Sequence, residues 1–207
     1  MSLASFPNTK QRVPSYRLTV EQYHEMLARG IVTEGEPLEL LEGQILPKDR
    51  SANGGNPMTV GTRHATAVTR IGELSSRLKR SGCFVRIQQP LTLAPFNEPE
   101  PDAAIVAGNP DDYVQSHPNA RHTLCVIEVA DASLQRDRVI KQQIYADAGI
   151  KQYVIINLAD KVIEVYTQPL KEQGRYGRSE TLKPGRQLTL ATAKGAGLSL
   201  PVRRLLP

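Results

Sequence analysis

Tryptophan is absent from this 207-residue chain, phenylalanine occurs three times and cysteine only twice. So few aromatic rings argue against a platform on which successive single-stranded bases could stack. Cys83 and Cys125 are too few for a disulfide framework or a cysteine-built zinc site. Both sit in apolar surroundings and read as core residues rather than nucleophiles. Long apolar runs are missing as well. The longest, Ala103 to Ala107, has five residues, far short of the roughly 20 that a membrane helix needs. The N-terminal stretch MSLASFPNTKQRVPSYRL has no hydrophobic region of the secretory type. These absences exclude membrane-spanning, secreted and zinc-ribbon classes and leave a cytoplasmic globular protein. No glycine-rich phosphate loop or nucleophile elbow supports a metabolic enzyme.

What is present begins with charge. There are 26 Lys and Arg against 21 Asp and Glu, a net charge of +5. The excess is uneven: Lys161–Pro207 holds nine basic and three acidic residues, whereas the preceding 160 are nearly neutral. A basic flank suits a polyanion such as nucleic acid, although a solvated surface also accounts for it. The length fits one domain able to bury its own core.

Local patterns predict an α/β chain. Thr19-Val20-Glu21-Gln22 is a capping box that opens a short helix ended by Gly30. Leu38 to Leu46 reads as two strands around a Glu-Gly turn. A loop rich in Gly, Asn and Pro follows over Ser51 to Pro57. Ala67, Ile71, Leu74 and Leu78 form one apolar stripe on a helix from about Arg63 to Arg80. Arg63, Arg70 and Arg77 recur on another face of it and are candidate contacts to nucleic-acid phosphates. Strands are predicted over 84–88, 103–107, 122–130, 153–158 and 162–167, with a helix capped by Ser133 and stopped at Gly149. That order implies a mixed sheet carrying helices. The chain divides into an N-terminal helix and hairpin extension (1–60), a catalytic core (61–170) and a basic C-terminal segment (171–207).

One residue breaks this pattern. Glu128 interrupts the apolar strand Leu124-Cys125-Val126-Ile127-Glu128-Val129-Ala130, where an unpaired carboxylate would cost several kcal/mol. It needs a Lys, an Arg or a metal, unless the strand end lets it reach water. Pro101-Asp102 opens the preceding strand. Carboxylates on two neighbouring strands are oxygen donors of the kind that Mg²⁺ or Mn²⁺ prefers. Asp137, Lys141 and Tyr145 share roughly one helix face. That face either carries a solvent-exposed Asp–Lys pair or brings a cation to the carboxylates, where it could stabilise charge on phosphorus or orient water.

Pro101-Asp102, Glu128-Val129, Asp137, Lys141, Tyr145, Gly149 and Tyr153 together resemble the Uma-two family of restriction endonucleases, in the superfamily marked by the PD-(D/E)XK motif. The stretch EVADASLQRDRVIKQQIYADAGIKQYVIIN carries the most specific part of the likeness. LELLEGQI is similar to the family's N-terminal hairpin, and His64 matches a family histidine. The resemblance implies a restriction-endonuclease-like mixed sheet of four or five strands flanked by helices. It further implies Asp102 and Glu128 as metal ligands, Lys141 as the catalytic lysine, and Glu39, His64, Asp137 and Tyr145 as accessory residues. The expected cofactor is Mg²⁺ or Mn²⁺, the partner double-stranded DNA, and the assembly, by analogy, a homodimer with one site per strand. The lysine of the superfamily motif would fall at Ala130, so that role is either absent or supplied from elsewhere in the chain, and the family's helix-borne lysine points to Lys141. Asp131 and Asn157 stand where the family usually has Ser and Asp. A non-catalytic nucleic-acid-binding or interaction module on the same fold is the alternative.

Overall fold

The computed structural model describes residues 15–33, 35–48 and 61–207. The loop expected over Ser51–Pro57 and the first 14 residues lie outside them. Helix α1 spans Val20–Ala28, and both arms of the predicted capping box are formed between Thr19 and Gln22. Strands β1 (Leu38–Leu41) and β2 (Gln44–Pro47) make the predicted hairpin. Its turn needs left-handed backbone at Glu42 and Gly43, with φ of 52° and 78°. At Gly43 a Cβ would also stand 2.6 Å from the Arg17 Cβ and 2.8 Å from its Cα, so glycine is required twice over.

The long helix expected over 63–80 is divided into α2 (Thr62–Gly72) and α3 (Ser75–Lys79). The Leu74 amide turns back to the Ile71 carbonyl three residues earlier, tightening the chain after Gly72. The apolar stripe survives the break, because Ala67, Ile71, Leu74 and Leu78 are all fully buried. Strands β3 (Cys83–Ile87), β4 (Ala103–Ala107) and β5 (Thr123–Ala130) follow.

A single helical segment then runs from Leu134 to Ala148, but not as one α-helix. Short α4 (Leu134–Arg136) and α5 (Gln142–Ala148) flank a π-helical turn over Asp137–Lys141. In that turn the Gln142 amide reaches back five residues to the Asp137 carbonyl. Ser133 does not cap the helix as predicted: it has helical backbone, and its hydroxyl donates to Asp137 Oδ2 at 2.7 Å. Gly149, at φ 78°, ends the segment as expected.

Strands β6 (Gln152–Asn157), β7 (Val162–Leu170) and β8 (Arg175–Leu182) complete a six-stranded sheet in chain order. Its pairs are antiparallel except β5 with β6, which the helical crossover joins in parallel. This exceeds the four or five strands implied by the resemblance. The added edge strand, β8, has a mostly exposed sequence, so its apolar pattern is faint. Strands β9 (Gln187–Leu190) and β10 (Leu198–Pro201) form a separate hairpin.

Alternation along the strands divides the sheet residues between two faces. Ile105, Cys125, Ile127, Val129, Val154 and Ile156 join α2, α3 and the last hairpin in one core. Val126, Ala130, Tyr153 and Ile155 join Ile144 and Tyr145 of α5 in a second. Glu128 falls between Val126 and Ala130 in that alternation, so it takes a slot on the second face. A smaller cluster of Val20, Tyr23, Val32 and Leu40 binds α1 to the first hairpin. Cys83 and Cys125 are free and buried. Among the described residues, no helix is long and apolar enough to cross a membrane.

Candidate active site

Seven of the predicted side chains gather around Glu128 on the second face of the sheet: Glu39, His64, Asp102, Glu128, Asp137, Lys141 and Tyr145. Glu128 projects from β5 and is almost wholly buried. Its Oε1 accepts from the Lys141 ammonium and the Tyr145 hydroxyl, each at 2.9 Å. Its Oε2 accepts the Asp102 backbone N–H at 3.3 Å. In the opposite sense, the Val129 N–H donates to Asp102 Oδ2 at 2.9 Å. The two carboxylates are thus each fixed by the other's strand.

Asp102 is held from two further sides. His64, at the first turn of α2, lies 3.0 Å from its Oδ2, and the Gln88 amide donates to Oδ1 at 3.4 Å. Gln88 follows β3 in left-handed backbone at φ 51°, a conformation that is uncommon away from glycine and clusters at functional sites. Sequence reasoning missed Gln88. The signal was a Gln-Gln-Pro ending a strand that pairs with the one opened by Pro101-Asp102.

Lys141 comes from the π-turn and is 6% exposed. Besides Glu128 it pairs with Glu39 Oε2 of β1 at 3.3 Å, so the hairpin covers the site instead of standing apart. Arg136 reinforces that contact by donating to the Pro47 carbonyl. Glu39 Oε2 also accepts the Glu100 N–H at 3.3 Å, whereas its buried Oε1 has no hydrogen-bond partner. Ala130, where the resemblance would have placed a lysine, is buried in the apolar core. The ammonium therefore arrives from the helix. The π-turn is fastened to β7 by Arg138, which makes a two-pronged contact to Glu164 at 3.0 and 2.6 Å. Asn157 and Tyr166 bind the same carboxylate.

Electrostatics follow from this crowding. Burial pushes the Glu128 carboxyl well above the ordinary range, against the pull of Lys141 and with the help of Asp137, Asp102 and Glu39. Burial works to discharge Lys141, but Glu128, Glu39 and Asp137 outweigh it and hold the ammonium charged. Asp137 is raised, chiefly by burial. Asp102 is also opposed by burial, yet His64 and the Val129 N–H leave it below the usual carboxylate range. For His64 the contact with Asp102 overcomes burial and raises the imidazole. Four carboxylates thus surround one ammonium and one imidazole.

That surplus of hard oxygen and the orphaned Glu39 Oε1 suit a cation. Among the described residues, no three His, Cys, Asp or Glu side chains are gathered closely enough to hold a metal ion by themselves.

The predicted arginines are not part of this cluster. Arg63 donates to the Leu158 carbonyl, Arg70 to Leu206 O at 2.6 Å, and Arg77 to Ser199 O at 3.1 Å. All three tie α2 and α3 to other segments of the chain.

Comparison with known proteins agrees with this architecture. No curated protein matches the chain. The crystal structure of "a putative nuclease belonging to DUF820" from Anabaena variabilis superposes with a TM-score of 0.65 at 16% identity, covering 91% of this chain and 97% of that one. It shows the same fold. A family model, Uma2, described as "Putative restriction endonuclease", matches residues 20–203. The chain belongs to the Uma2 family.

Proposed function

We propose that this protein is a divalent-metal-dependent endonuclease that hydrolyses phosphodiester bonds of double-stranded DNA. The observation carrying this reading is the meeting of Asp102, Glu128 and Lys141: two strand-borne carboxylates locked to each other's backbone, with a buried ammonium 2.9 Å from one of them. Membership of the Uma2 family supports the same reading.

Asp102 and Glu128 would hold Mg²⁺ or Mn²⁺, with Glu39 Oε1 as a nearby further oxygen. A divalent cation there supplies Lewis-acid polarisation of a phosphoryl oxygen. Lys141, kept charged by its neighbours, orients the attacking water or offsets charge gathering on phosphorus. Tyr145 fixes Glu128, and His64 and Gln88 fix Asp102, so the acidic pair needs little rearrangement when substrate arrives. Asp137 holds the Lys141 charge from the far side. A homodimer would bring one such site to each strand of a duplex.

Plasmid nicking with Mg²⁺ or Mn²⁺ tests the assignment. Wild type should convert supercoiled to open-circular DNA, and Asp102→Ala, Glu128→Gln and Lys141→Ala should each slow this at least about 100-fold. Equal cleavage by Asp102→Ala and Lys141→Ala would overturn it. Duplex binding with no cleavage by wild type would instead indicate a non-catalytic module.

A further inference from the structure

Three of the nine basic residues in the last 47, Arg186, Arg203 and Arg204, line adjoining clefts. Strands β9 and β10 pair so that Gln187 faces Pro201, and the Val202 amide donates to the Arg186 carbonyl at 3.0 Å. This backbone link sets Arg186 beside Arg203 and Arg204, which lie in a short 3₁₀ turn over Val202–Arg204. Arg70, near the end of α2, reaches the same neighbourhood through its bond to the Leu206 carbonyl.

Two adjoining clefts result. One of about 540 Å³ is lined by Arg70, Glu73, Pro201, Arg203 and Arg204. The other, of about 220 Å³, contains Arg186 and shares Pro201 and Arg203 with the first. Arg186, Arg203 and Arg204 are exposed. The acid in the groove, Glu73, pairs with Arg204 only at 4.0 Å, with both side chains about half exposed, so the pair neutralises little. Guanidinium groups in a shallow groove present the forked donors that phosphate oxygens accept.

We infer that this arginine groove is a second contact surface for the duplex, binding backbone phosphates of the DNA flank beside the cleavage site. The inference rests on the nucleic-acid reading of the carboxylate site. Helix α2 joins the two places: His64 at its first turn touches Asp102, and Arg70 at its last turn borders the groove. Six residues of helix span about 9 Å, or about three base-pair steps along a duplex axis. A duplex longer than about three base pairs is long enough to cover that separation. Contacts to phosphate carry no sequence information, so its contribution is independent of sequence.

The test is fluorescence anisotropy of a labelled 20-base-pair duplex in EDTA, where no cleavage occurs, titrated from 50 to 200 mM salt. Compared with wild type, the Arg186→Ala/Arg203→Ala/Arg204→Ala variant should bind about 100-fold more weakly. Its salt dependence should be shallower by about 0.9 in slope per lost phosphate contact. The corresponding triple Arg→Lys variant, which keeps the charge, should recover most of the affinity. Arg70 is left intact because it holds the Leu206 carbonyl. An unchanged affinity and salt slope in the alanine variant, or no duplex binding by wild type, overturns the inference. Its failure is distinguishable from that of the endonuclease reading. Salt-sensitive binding that the alanine variant loses, with no cleavage in Mn²⁺, supports the groove and rejects the nuclease. Nicking by wild type with unchanged duplex binding by the alanine variant does the reverse.

Discussion

Lys141 carries the heaviest electrostatic burden of any residue in the site. It is a buried ammonium shared between Glu39 and Glu128, and removing one member of such a group leaves the others charged, desolvated and unpaired. Lys141→Met should therefore destabilise the fold by about 3 kcal/mol, measured as a fall in the urea midpoint with the slope unchanged. A midpoint equal to wild type would mean that the carboxylates already lie in water. Glu128 and Asp102 were legible in the sequence because a carboxylate inside an apolar strand, and a Pro-Asp at the start of its neighbour, break a local rule. Lys141 on its own was ambiguous, since Asp137 and Lys141 at helical spacing describe an exposed pair equally well. The resemblance, not the spacing, selected the inward reading. Gln88 was missed, because a Gln-Gln-Pro ending a strand does not say whether the amide turns toward a carboxylate or to solvent.

Among the elements, the π-turn over Asp137–Lys141 decides where the helix presents its groups. Such turns are recurrent at functional sites, and here the turn is braced by Arg138 on Glu164. Burial works against the Glu164 carboxylate, but hydrogen bonds from Arg138, Asn157 and Tyr166 outweigh it and lower its pKa from the usual 4.5. A lowered pKa in the folded state means that the brace is fully present above about pH 4.5 and is lost as pH falls through the lower folded value. The melting temperature of wild type should therefore exceed that of Glu164→Gln above about pH 4.5, and the gap should narrow as pH falls further below it. A gap independent of pH would contradict the brace. The helix itself was predicted from Ser133 to Gly149, but not its π-turn. An inserted turn keeps the apolar period almost intact, and Ser133 looks like a cap whether its hydroxyl serves the backbone or, as here, Asp137. The break after Gly72 escaped for the same reason: Leu74 stays on the buried stripe across it. Strand β8 escaped because an edge strand with a solvated face carries little apolar alternation.

For the whole molecule, composition placed the chain among ordinary globular proteins and charge fitted a solvated surface as well as a polyanionic partner, but neither located a site. Location came from topology: the parallel pair β5–β6 and its helical crossover bring strand, helix and hairpin together where one face of the sheet would otherwise continue as core. Glu128 occupies the slot between Val126 and Ala130 on that face, so every charge in the cluster displaces hydrocarbon that could have packed there. The fold is consequently held below the stability its scaffold permits, and the deficit can be read by heat alone. A variant with Glu39→Leu, Glu128→Met, Lys141→Met and Tyr145→Phe exchanges three of the buried charged groups and one hydroxyl for apolar groups, leaving Asp102 on His64 and Asp137 on the Ser133 hydroxyl. It should melt at or above wild type, with a gain of up to about 4 kcal/mol, although Lys141→Met alone melts lower. If the combined variant were the less stable protein, the cluster would be part of the scaffold's strength. Differential scanning calorimetry can thus separate residues kept for chemistry from residues kept for folding before any substrate is in hand.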